Sequence, residues 1–229
     1  MIRRLLPLGL LLAAAASPAL AQEDPVLDRV LANARAGIGA PIGSSMTLVE
    51  AHVEGRTLVL GLRAPREVRD LFTMEELAEL IGLGICSRGG DSFFGEGRAL
   101  RTEISGESAP VAVTLTACPA VTTSHIILQS TARSVERQFA GARSGPVRFA
   151  SARVEGDELV VTFDGTTGWR RQYTPEVINR YFFRGYCGAR AGGNGVMSEG
   201  RTVRIDTLEN GRSHRRGQSV SSCDAFRPR

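Results

Sequence analysis

The stretch TMEELAELIGLGIC, Thr73 to Cys86, returns as TPEVINRYFFRGYC, Thr174 to Cys187. Each copy opens on a threonine whose hydroxyl can accept an orphan backbone N–H of a first helical turn. Glu76 stands three residues after Thr73 and completes a capping box, whereas Pro175 takes the first helical position after Thr174. Leu77 matches Ile178, Leu80 matches Tyr181, Ile81 matches Phe182 and Ile85 matches Tyr186, steps that predict one buried helix face. Gly84 and Gly185 are expected to close the helices, each with a cysteine two residues on.

Working outward, a displacement of 101 residues lays the second half on the first, with Glu54-Gly55 on Glu155-Gly156 and Cys86 on Cys187. Glu96-Gly97-Arg98 meets Glu199-Gly200-Arg201 at 103, and Cys118 meets Cys223 at 105, so the drift falls in loops. A first helix begins at Asp24-Pro25 with Leu27, Leu31, Ala34 and Ile38 on one face, answered by Leu128, Ala132, Val135 and Phe139. Val49, Ala51 and Val53 then alternate with polar residues, as do Ala150, Ala152 and Val154, which predicts a strand. After a tight Glu-Gly turn, Leu58, Leu60 and Leu62 correspond to Leu159, Val161 and Phe163. The capped helix, a Gly-rich loop and two more strands follow. Asn210-Gly211 marks the last hairpin, and Ser105-Gly106-Glu107-Ser108 fills that role earlier.

The expectation is an α+β chain, a tandem repeat of two α-β-β-α-β-β domains. Each would be a four-stranded antiparallel sheet with both helices on one face. The first repeat spans 22–119 and the second 120–229, with the junction at Pro119 to Ser124. Residues 1–21 read as a Sec-type signal peptide: Arg3 and Arg4, an apolar run from Leu5 to Ala16, and Ala19-Leu20-Ala21 before the cut. The apolar run is too short to span a bilayer, so a periplasmic or secreted protein without a transmembrane segment is expected.

All 28 basic residues are arginine. Residues 22–125 carry 9 Arg against 14 Asp and Glu, a net of −5, and residues 126–229 carry 17 against 10, a net of +7. The chain therefore pairs an acidic half with a basic half. After removal of the signal peptide the net charge is too small for a nucleic-acid footprint over the whole chain, and no specific nucleic acid is expected.

Four cysteines in an exported chain argue for two structural disulfides. Three pairings are possible; the repeat favours Cys86–Cys118 and Cys187–Cys223. Loops of this length give about 3–4 kcal/mol of stabilisation each. The pattern Val154-Glu155-Gly156-Asp157-Glu158-Leu159, Cys187, Gly200-Arg201-Thr202-Val203-Arg204 and Cys223 resembles a class of uncharacterised exported proteobacterial proteins with a disulfide-stapled strand-strand-helix-strand-strand domain. The resemblance covers nearly all the chain after residue 21. It implies the fold and export, and it implies no catalytic or binding residue.

The chemistry-bearing residues mostly have structural readings. His52 is expected on the outward side of a strand, His125 in the junction and His214 in the last hairpin, with no metal-ligand spacing among them. No Gly-x-Ser-x-Gly elbow is present. Glu75-Glu76 and Asp157-Glu158 fall in a helix first turn and a hairpin turn, where they favour the dipole or face water. Gly192-Gly193-Asn194-Gly195 could cradle an anion, but reads better as a helix-to-strand connection, as does Gly89-Gly90-Asp91. One cluster stands apart. Trp169, Arg170 and Arg171 precede the capped helix, and Arg212, Arg215 and Arg216 crowd the last hairpin, a set that suits phosphate or carboxylate. The expected function is a non-enzymatic cell-envelope binding or accessory protein, without cofactor or metal. Its partner would be an acidic envelope protein or an anionic surface. The alternatives are a hydrolase of a wall or envelope polymer, or an inhibitor of an envelope enzyme.

Overall fold

Asp24 caps the first helix through its side chain, which accepts the Leu27 N–H at 3.1 Å, and Pro25 supplies the preset φ of the first turn. The computed structural model describes residues 24–42, 46–89, 92–106, 110–188, 197 and 200–223. The 1–21 leader, the Glu107-Ser108 turn, the Gly90-Asp91 pair and the Gly192–Gly195 loop lie outside the described residues.

The N-terminal half runs α1 (Pro25–Ala36), β1 (Pro41–Ile42), β2 (Met46–Glu54), β3 (Thr57–Arg63), α2 (Arg66–Leu71), α3 (Met74–Gly89), β4 (Ala99–Ser105) and β5 (Val111–Leu115). The C-terminal half runs α4 (Thr123–Phe139), β6 (Arg143–Ser144), β7 (Val147–Glu155), β8 (Glu158–Gly165), α5 (Trp169–Gln172), α6 (Pro175–Gly188), β9 (Thr202–Glu209) and β10 (Ser219–Val220). Two five-stranded sheets result, ordered β1-β2-β3-β4-β5 and β10-β9-β8-β7-β6. The fold is mixed α+β.

Two features of the expected sheet are corrected. Each sheet gains a fifth, two-residue strand, at β1 and β6. The sheets are also not wholly antiparallel, because β3 pairs with β4 in parallel and β8 with β9 likewise. A parallel neighbour needs a crossover, and α2–α3 and α5–α6 supply it, carrying the chain across the sheet between the paired strands.

The strand phase is corrected too. Pairing slips between Leu48 and Glu50, and between Phe149 and Ser151, so each long strand carries a bulge at Val49 or Ala150. Both bulge residues are exposed; Met46 and Leu48 take the core positions ahead of the first one. From there the expected pattern holds, with Leu58, Leu60 and Leu62 buried beneath α1 and α3 in one cluster. Leu159, Val161 and Val203 do the same beneath α4 and α6, in a core rich in phenylalanine.

The helices depart from the reading at their ends. Thr73 and Glu76 form the reciprocal box, at 2.9 and 3.2 Å. Gly84 and Gly185, however, do not end their helices, which run on to Gly89 and Gly188 and carry the cysteines on their last turns. Cys86 binds Cys118 and Cys187 binds Cys223, with Cα–Cα distances of 6.1 and 5.6 Å. Each bond ties a last helical turn to the segment beyond the final strand, so a mid-helix glycine costing about 1 kcal/mol is tolerated. Tyr181 was expected on the buried face but is 76 % exposed, and Phe183 is buried instead. Ile38 lies beyond the end of α1 and is exposed for that reason.

α4 also faces the other half. Arg133 reaches the Glu76 carboxylate and the Leu71 carbonyl, and Arg137 donates to the Asp70 carbonyl. Among the described residues, no helix is long and apolar enough to cross a membrane.

Candidate functional site: a charged sheet face and a basic arm

The helices cover one face of each sheet; the other face carries charge. In the first sheet, register places His52, Val59 and Arg101 side by side, with Glu54 two residues further along β2 and Glu103 two residues further along β4. Arg101 grips Glu54 with two hydrogen bonds, at 2.7 and 3.1 Å, and Glu103 at 3.0 Å. His52 lies between Glu50 and Glu54, at 3.1 and 3.2 Å. The Arg101 hydrogen bonds, and then His52, hold the Glu54 carboxyl below the usual glutamate range.

The same ladder recurs in the second sheet as Glu155, Arg204 and Asp206. There it is sealed: Arg204 is 2 % exposed and Asp206 not at all. Arg204 also reaches Glu158, while Arg153 sits 3.8 Å from Asp206 and bonds Thr162 and Glu155. The cover is the arm that follows the Asn210-Gly211 turn, whose φ values of 52° and 69° are those the sequence signal called for. His214 meets Asp206 at 2.9 Å, the Gly217 N–H donates to Asp206 at 3.1 Å, and Ser219 bonds Glu158. Burial alone would raise the Asp206 pKa. The Arg204 hydrogen bond, the Gly217 N–H and His214 outweigh it, and the carboxyl is held below the usual aspartate range.

The arginine cluster divides in two. Trp169 is 2 % exposed; its ring packs over Gly165 and its Nε1–H donates to the Leu208 carbonyl at 2.8 Å. It packs as a core residue, with α5 turning the indole under the sheet end. Arg170 is spent internally as well, on the Thr207 carbonyl at 2.8 Å and on Ser213. That bond fastens α5 to the arm. Arg171, Arg212, Arg215 and Arg216 remain exposed on this joined surface. A shallow cleft beside it is lined by Ile178, Asn179, Thr207, Arg215, Arg216 and Gly217.

Besides Arg204, two more buried arginines escaped the sequence reading. Arg98 binds Asp24 at 2.6 Å and the carbonyls of Ser92 and Gly95, locking the α3–β4 loop to the start of α1. Arg201 is equally buried at the matching place and reaches Ser124 at 3.3 Å. The available signal was the shared Gly-Arg at the head of each strand, where Gly97 and Gly200 have φ of 74° and 83°. His125 lies on α4 against Gln129 at 2.8 Å. Among the described residues no group of three or more His, Cys, Asp or Glu is placed to hold a metal ion. Comparison with family models, with curated proteins and with solved structures finds no match for this chain.

Proposed function

We propose that this chain is an exported, non-enzymatic binding protein of the cell envelope, built by duplication, which docks an anionic partner on the basic arm of its C-terminal half. One observation carries the reading: Arg171 on α5 and Arg212, Arg215 and Arg216 on the arm are all exposed, and Arg170 fastens α5 to the arm at Ser213. Such guanidinium groups suit phosphate or carboxylate, and their solvent exposure makes the attraction sensitive to salt. The two disulfides fit an oxidising compartment. Among the described residues of the first half, the matching strand β5 carries no charge.

The His214–Asp206 contact favours a second reading, a hydrolase of an envelope polymer. Against it, every oxygen of Asp206 is already engaged by Arg204, Gly217 and His214. A carboxylate so bound orients the arm more readily than it drives proton transfer. The test is capture from an envelope extract at low and high salt, by the wild type and by Arg215→Glu/Arg216→Glu. Capture that is lost in the variant and in high salt supports the arm. Equal capture by both proteins overturns it, and turnover of wall polymer abolished by His214→Ala would install the hydrolase.

A further inference from the structure

Three of the four long sheet edges are guarded. The outer edge of β2 has β1, a bulge, the Gly39 N–H on the Leu48 carbonyl and Arg35 on the Ala51 carbonyl. That of β7 has β6, a bulge, the Ala142 carbonyl on the Phe149 N–H and Glu136 on the Ala152 N–H. β9 is followed by the arm, which pairs with it through Arg215 and β10 and carries Arg212, Arg215 and Arg216 outward. Charges, bulges and short flanking strands are the usual means of keeping an edge from pairing.

Among the described residues, β5 has none of these. Its sequence is Val111-Ala112-Val113-Thr114-Leu115, uncharged and β-branched, and it pairs with β4 in unbroken register from Leu100–Leu115 to Ile104–Val111. Among the described residues no hydrogen bond reaches its outer side from another element, and Val111 is about half exposed. We infer that this edge pairs with β5 of a second copy of the chain, antiparallel about a two-fold axis at Val113. The pairing continues two five-stranded sheets into one of ten.

Self-complementarity singles out a second copy. About Val113 the strand sets valine on valine, Val111 on Leu115 and Ala112 on Thr114, with no like charges opposed. Glu103 lies beside Ala112 and Arg101 beside Thr114, so the two-fold also aligns each Glu103 with the row of the partner's Arg101. Two five-residue strands bury well under the roughly 1,200 Å² of a stable interface, so the association is reversible and concentration-dependent.

The test is sedimentation of the purified oxidised protein over a concentration series to about 1 mM. Wild type is expected to show a monomer–dimer equilibrium. Ala112→Lys/Thr114→Lys sets lysine against lysine twice across the seam and should leave only monomer. Ala112→Lys/Thr114→Glu sets lysine against glutamate twice and should tighten the dimer roughly two- to thirty-fold. Both positions are exposed, so the fold tolerates the changes. A wild type that stays monomeric, even one that captures an added peptide of the β5 sequence, overturns the proposal. So does a dimer indifferent to both variants, or one that responds to Arg215→Glu instead.

Discussion

Thr102 is fully buried on β4 between Leu60 and Val113, and among the described residues its hydroxyl finds no partner. Ile205 holds the matching place in the other half. An unpaired buried hydroxyl costs about 1–3 kcal/mol, so Thr102→Val should raise the urea midpoint by the equivalent of about 1 kcal/mol with the slope unchanged. A lower midpoint would show that the hydroxyl has a partner. Asp206 presents the reverse case. Asp206→Asn leaves Arg204 less compensated in a sealed layer and should cost about 3–5 kcal/mol, whereas Glu103→Gln, on the open ladder, should change little. The pH behaviour follows from the same residue. A carboxyl held below its unfolded value adds stability above that value and loses it as pH falls through the folded one. Asp206, Asp24, Glu54, Glu155 and Asp164 all lie on that side. Stability should therefore be level above about pH 5 and fall below about pH 4, with a shallower fall in Asp206→Asn. Urea midpoints across that range check it.

At the scale of elements, the arm is held by one close approach. A β-carbon on Gly217 would lie 2.0 Å from the Ile205 carbonyl oxygen. Gly217→Ala must push the arm off β9, breaking the Gly217 bond to Asp206 and admitting water to Arg204. Destabilisation of about 1–3 kcal/mol is expected, with hydrogen exchange quickened over 213–220 and little altered in the first sheet. Unchanged exchange there would mean that the arm does not seal the network. Much of this level was legible in the chain. Caps at Asp24 and Thr73, the Asn210-Gly211 turn and both disulfides depend on local chemistry or on the repeat, and both can be read from one sequence. The parallel β3–β4 pairing was not legible, because alternation at Leu58, Leu60 and Leu62 is the same whichever way a neighbour runs. Nor was the sealed ladder. Arg204 and Asp206 look like any outward-facing charged pair until the arm, 8 to 15 residues later, folds over them. The bulges hid for a related reason: at Val49 and Ala150 an apolar residue continues the alternation that the backbone has broken.

For the whole molecule, the uneven charge has an internal use before any external one. Glu76 serves both halves: it accepts the Thr73 N–H that starts α3, and it receives Arg133 from α4. Arg137 adds its bond to the Asp70 carbonyl at the end of α2, and Ile126 is buried on α4 outside the sheet-side core. A basic helix of one half thus clamps an acidic helix pair of the other. The two cores are otherwise separate clusters, each with its own disulfide. Such units unfold together only while the contact between them holds. Arg133→Ala/Arg137→Ala should therefore split one urea transition into two, while leaving both disulfides and the Thr73 cap in place. High salt should imitate the variant only in part, because Glu76 is buried and buried pairs are weakly screened. Small-angle scattering gives the independent check: the double variant should show a larger radius of gyration than wild type under native conditions. If the transition stays single and the radius is unchanged, the two arginines are not what joins the halves, and Ile126→Ala, at the buried α4 residue outside both core clusters, becomes the next substitution to try.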